Sequence, residues 1–167
     1  LVHKLPAEAA LAIISGDVVH WEEAFRAERP EQDYVVLGQL EAVLGNATPV
    51  VRAFAYRYAG IFEPTFYNQS AKAAFEALES DPRNFDALMT IATAYQRLGR
   101  IDDATRYTEQ AREAYPDNAE VLSRLANLAL GRSEKDIRKI LDRMERAVAL
   151  EPNNAGYLYN LGWVYDQ

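Results

Sequence analysis

In the second half of the chain, apolar residues return in steps of three, one and three: Leu88, Ile91, Ala92 and Tyr95, then Leu122, Leu125, Ala126 and Ala129, then Leu158, Leu161, Gly162 and Tyr165. Steps of that size share one face of a helix. The first two members of each set are large and the third is small, which lets a neighbouring helix approach closely at one point while space is filled beside it. Each set opens after a proline. Pro82, Pro116 and Pro152 lie 34 and 36 residues apart, and each follows an alanine by five positions: Ala77, Ala111 and Ala147. Between these landmarks a second helix is predicted. Leu98-Gly99-Arg100 ends the first helix of its unit, because glycine supplies the positive backbone dihedral of a helix stop. Asp102-Asp103-Ala104 then starts the next, with the acidic pair at the positive end of the helix dipole. Its inner stripe is Ala104, Tyr107, Thr108 and Ala111.

This alternation of large, small and proline positions resembles the tetratricopeptide repeat family, whose unit is a 34-residue helix-turn-helix. The resemblance covers 117 of the 167 residues, 51 to 167, in units 51–84, 85–118, 119–154 and an incomplete 155–167. It departs from the family pattern in three places. The unit 119–154 has two extra residues around Gly131 to Lys135, and Ser133 with Asp136 reads as a capping box that restarts its second helix; Ile140 stands there where the family places a small residue. The unit 51–84 matches in its second helix, at Ser70, Ala74, Ala77 and Pro82. In its first helix Phe54, Arg57, Tyr58 and Ile61 replace the usual residues. The last unit has a good first helix and no second, so an apolar face is expected to lie uncovered. The expected fold is all-α, a right-handed α-solenoid of hairpins.

Residues 1–50 are helical by pattern but lack the signature, and are expected to form a divergent N-terminal cap or a degenerate repeat. Pro6, Pro30 and Thr48-Pro49 each look like a helix start, predicting helices over 6–15, 17–28, 30–44 and 48–62. The chain opens Leu1-Val2 without a methionine or a charged-then-apolar leader, which reads as a processed or excised product.

Composition narrows the function. A net charge of −7 with pI near 4.9 gives no basic footprint for a nucleic-acid backbone. No window reaches the roughly 18 apolar residues of a membrane span, so direct membrane insertion is not expected and a soluble cytoplasmic or periplasmic protein is. With no cysteine, thiolate chemistry and cysteine metal sites are excluded. The two histidines, His3 and His20, fit no metal spacing, and the sequence has neither a phosphate-cradling glycine run nor a nucleophile elbow. Adjacent acidic pairs point about 100° apart on a helix and do not converge as a dyad. No catalysis and no cofactor are expected.

Stacked hairpins generate a superhelix whose first helices line an inner groove. Projecting outward from each leading leucine predicts a groove of Met89, Thr93, Gln96, Arg97, Ser123, Arg124, Asn127, Tyr159, Asn160 and Trp163, whereas Tyr95 and Tyr165 are expected in the core. Amides suit an extended backbone, guanidinium suits carboxylate, and aromatics suit apolar side chains. The resemblance implies a further comparison: some family members grip the carboxylate of chaperone tails with lysines, arginines and asparagines. Arg124, Asn127 and Asn160 match that clamp in part, but Met89, Ser123 and Tyr159 stand where its lysines would, which implies a different ligand. The expected partner is a protein or peptide, bound by a scaffold module. Two other readings are the recruiting arm of a larger enzyme, as in repeat-bearing glycosyltransferases, and homo-oligomerisation through the bare C-terminal helix.

Overall fold

The computed structural model describes residues 44–131 and 136–166. The cap helices expected over 6–15 and 17–28, most of 30–44, both histidines and Ser133 lie outside them. Seven helices follow one another among the described residues: α1 (Pro49–Phe62), α2 (Phe66–Ser80), α3 (Phe85–Arg97), α4 (Ile101–Ala114), α5 (Ala119–Gly131), α6 (Ile137–Leu150) and α7 (Ala155–Tyr165). They pair as hairpins α1/α2, α3/α4 and α5/α6, each second helix packs on the first helix of the following unit, and α1 also reaches α3. This is an all-α solenoid.

The local signals explain where the helices begin and stop. Thr48 caps α1 and Pro49 opens it. Asn84, Asn118 and Asn154, each two residues beyond a unit proline, accept backbone N–H groups of Ala87, Val121 and Tyr157 at the starts of α3, α5 and α7. Gly99 has φ +74°, and the Arg100 N–H returns to the Tyr95 carbonyl at 2.8 Å, the wrap that closes a helix C-terminus on a left-handed residue. One start differs from expectation. Helix α6 begins at Ile137, and Asp136 is itself the cap, its Oδ1 accepting from the Lys139 N–H at 3.2 Å. A single short acceptor directly before the helix suffices, so Asp136 does not serve as the third helical residue behind Ser133.

Among the described residues a chain of small clusters, in place of one core, passes burial from hairpin to hairpin. Ala53, Ala74, Ala77, Ile91, Tyr95 and Ala104 tie α1 to α4. Leu88, Met89, Ala111, Val121 and Leu125 carry the contact into the next unit, and Ala126, Ile140, Met144 and Val164 carry it to α7. The alanines read from the sequence as points of close approach are fully buried, and so is Ile140. In α1 Ala53, Tyr56 and Gly60 face the hairpin, each one residue before a position the 34-residue spacing marks, while Ala55 and Ala59 pack with Leu44. Gly60 lies so close to the Tyr67 ring that a Cβ there would stand 2.7 Å from it. Ser70 closes the same hairpin by donating to the Ala53 carbonyl at 2.8 Å.

Tyr165 is not in the core as expected: it is 62% exposed, and its hydroxyl donates to Glu145 at 2.6 Å. Leu158 of α7 faces outward as well. Val164 takes the inward place instead.

Candidate functional site

The first helices of the units converge on Arg124. Its side chain, on α5, is largely withdrawn from water; Nη1 donates to Thr93 Oγ1 on α3 at 2.7 Å and Nη2 pairs with Glu120 one turn back at 3.2 Å. Thr93 is fixed in turn, its hydroxyl donating to the Met89 carbonyl at 2.8 Å. The Nε of Arg124 is buried without a hydrogen-bond partner. Burial pulls the guanidinium below its usual arginine range, the Glu120 carboxylate acts in the opposite direction, and the nearby Arg57 of α1 pushes the same way as burial. Tyr157 of α7 belongs to the same neighbourhood. Its phenol is raised, first by burial and then by Glu151 and Glu120, with Arg124 opposing. Four helices, α1, α3, α5 and α7, therefore bring Arg57, Thr93, Arg124 with Glu120, and Tyr157 into one electrostatic field. Arg57 lies 4.8 Å from the Phe54 ring centroid and 5.3 Å from that of Tyr58, a cation held over aromatic faces.

The ten residues projected onto the groove fall into three groups. Thr93 and Arg124 are joined directly, with Asn127 and Asn160 partly exposed. Gln96, Arg97, Tyr159 and Trp163 are exposed. Met89 and Ser123 are buried and offer no surface to a ligand; Met89 packs with Leu88, Val121 and Leu125 between successive units. For Met89 the reason is that Val121 and Leu125 of the neighbouring first helix close over that part of the face.

Sequence reasoning missed Arg57, Glu120 and Tyr157. Glu120 was detectable, since a glutamate four residues before an arginine on a helix pairs with it. Arg57 was hidden because it stands where the 34-residue spacing marks an interior position, the one that Ile91 and Leu125 hold in the later units.

Among the described residues no three metal-ligating side chains come together, and no helix is long and apolar enough to cross a membrane. A cleft of about 370 Å³ lies between α4 and α6, lined by Glu109, Arg112, Leu122, Lys139, Asp142, Arg143 and Arg146. Glu109 bridges Arg112 and Arg143 there.

Comparison with known proteins agrees with this architecture. The tetratricopeptide repeat profile matches residues 68–128. No curated protein sequence matches the chain. Among solved structures, the crystal structure of TTC0263, a thermophilic tetratricopeptide protein of Thermus thermophilus, superposes with a TM-score of 0.66 at 16% identity, covering 95% of this chain and 97% of that one. The first tetratricopeptide domain of Spaghetti (RPAP3) bound to the HSP90 peptide SRMEEVD gives 0.57 at 20% identity, over 69% of this chain and 91% of that one. A MamA crystal structure gives 0.54 at 21% identity; the match covers 80% of this chain and 65% of the MamA chain. Residues 68–128 thus carry the tetratricopeptide repeat, and the described chain has the solenoid fold of that family.

Proposed function

We propose that the protein is a peptide-docking scaffold whose first-helix face holds an extended segment of a partner, with Arg124 as its charged anchor. The observation that carries this reading is Arg124 itself. A guanidinium largely withdrawn from water, with one N–H unpartnered and a second cation nearby, is under-neutralised by a single half-exposed glutamate. A carboxylate entering beside it would supply charge-assisted hydrogen bonds in a partly desolvated site, where they are strong. Asn127 and Asn160 offer amides to a peptide backbone, and Gln96 and Arg97 lie on the neighbouring first helix. The RPAP3 domain, similar in fold, was solved with an acidic peptide, which fits the same kind of use.

A panel of random heptapeptides displayed on phage, panned against the protein, tests this. Enriched sequences are expected to contain Asp or Glu, and Arg124→Ala is expected to weaken their binding at least tenfold, about 1.4 kcal/mol, with unchanged helicity. Peptides that bind Arg124→Ala as tightly as wild type would refute the anchor.

A further inference from the structure

The second helices α4 and α6 border the cleft of about 370 Å³, within the roughly 300–1,000 Å³ of pockets that hold small ligands. On α6, Lys139, Asp142, Arg143 and Arg146 recur in steps of three, one and three, so one face of that helix brings all four to the cleft. Helix α4 brings Glu109 and Arg112. Four cations thus meet two carboxylates, a local excess of positive charge in a chain that bears −7.

A network that served only to join two helices would match its charges, and this one does not. Glu109 is shared by Arg112 and Arg143, so one carboxylate faces two guanidinium groups. Arg146 pairs outside the lining with Asp117, whose side chain is 76% exposed, and a pair so open to water neutralises weakly. Neither Lys139 nor Asp142 has an ion-pair partner among the described residues. Each of the three arginines makes one side-chain hydrogen bond among the described residues, out of the five N–H groups that a guanidinium carries.

We propose that this cleft binds a phosphomonoester dianion, carried on a serine or threonine of a partner segment. At neutral pH a phosphorylated side chain brings a charge of about −1.5 to −2 and three strong acceptor oxygens. That matches both the excess charge of the lining and the guanidinium N–H groups left over. A single carboxylate brings about half the charge and one oxygen fewer. Other carriers of phosphate fit less well. No aromatic ring lines the cleft for a nucleotide base to stack on, and a long polyanion such as nucleic acid would meet the chain's net negative charge beyond it. The cleft is open to solvent, which admits a phosphate attached to a polypeptide. The site does not depend on Arg124 or on the first-helix reading.

The probe is a fluorescein-labelled phosphoserine peptide with glycine on both sides, followed by fluorescence polarisation beside its serine and glutamate counterparts. Saturable binding below about 1 mM is expected, at least about tenfold tighter than either counterpart, with inorganic phosphate a weaker competitor than the unlabelled phosphopeptide. Lys139→Gln combined with Arg146→Gln, both at exposed positions, is expected to weaken binding at least about tenfold with unchanged helicity. Asp142→Asn is expected to tighten it about threefold, and Arg124→Ala to leave it unchanged. The proposal is overturned if the phosphopeptide does not saturate by that concentration, if the glutamate peptide binds as tightly, or if inorganic phosphate competes as well as the peptide does. It is equally overturned by a folded double variant that binds like wild type, or by loss of binding in Arg124→Ala, which would put the phosphate on the first helices instead.

Discussion

At the scale of single residues, the fold depends on small side chains placed where two helices touch. Gly60 is the sharpest case, since a Cβ there would stand 2.7 Å from the ring of the buried Tyr67. Gly60→Ala is expected to cost on the order of 1–3 kcal/mol despite alanine's better helix propensity, read as a lower midpoint in urea. Ala111, fully buried between units, should respond to Ala111→Leu by a similar amount, on the order of 1–3 kcal/mol; a midpoint unchanged in either variant would contradict the packing described. Ala111 was legible in the sequence because it recurs at a fixed distance from a proline. Gly60 was not, because α1 runs one residue out of step with the repeat and its small residue falls beside the marked position. Tyr165 shows the complementary error: its spacing is that of a core residue, but α7 is turned so that Val164, one residue earlier, takes the inward place.

Among elements, the second helices α4 and α6 are joined by charge as well as by packing. Glu109 holds both Arg112 of its own helix and Arg143 of α6, while Arg146 reaches Asp117 in the preceding turn at 2.9 Å. Arg143 is largely withdrawn from water, so removing its partner leaves a poorly solvated cation. Glu109→Ala is therefore expected to destabilise the fold by about 1–2 kcal/mol, less than a fully buried pair would cost because the carboxylate is one-third exposed. Asp117→Ala, whose ion pair is at the surface, should change stability by under about 0.5 kcal/mol. Thermal melts of the two variants separate these outcomes, and equal losses would show that burial of the pair does not matter. The hairpin order was readable from periodicity and proline spacing. The start of α6 was not, because two acceptors, Ser133 and Asp136, both suit a cap and sequence cannot choose between them.

Over the whole molecule, the stacking of hairpins turns local repetition into an extended face that no single unit possesses. Leucine and alanine spacing sets that face, and the residues that project from it, Arg57, Thr93, Arg124 and Tyr157, come from four helices spread over about a hundred positions. Their meeting follows from the stacking of hairpins and cannot be seen in any one segment, which is why Arg124 was legible as a residue of the first-helix face while its neighbours Arg57 and Tyr157 were not. Fold alone leaves the ligand open; the proposed anchor at Arg124 narrows it to an acidic segment. The most direct measurement is amide chemical-shift mapping on isotope-labelled protein titrated with an acidic heptapeptide selected as above. The account predicts saturable shifts concentrated at Arg57, Thr93, Arg124, Asn127 and Tyr157 on the first helices. Shifts centred instead on Glu109, Lys139 and Arg143 of the second helices would contradict it.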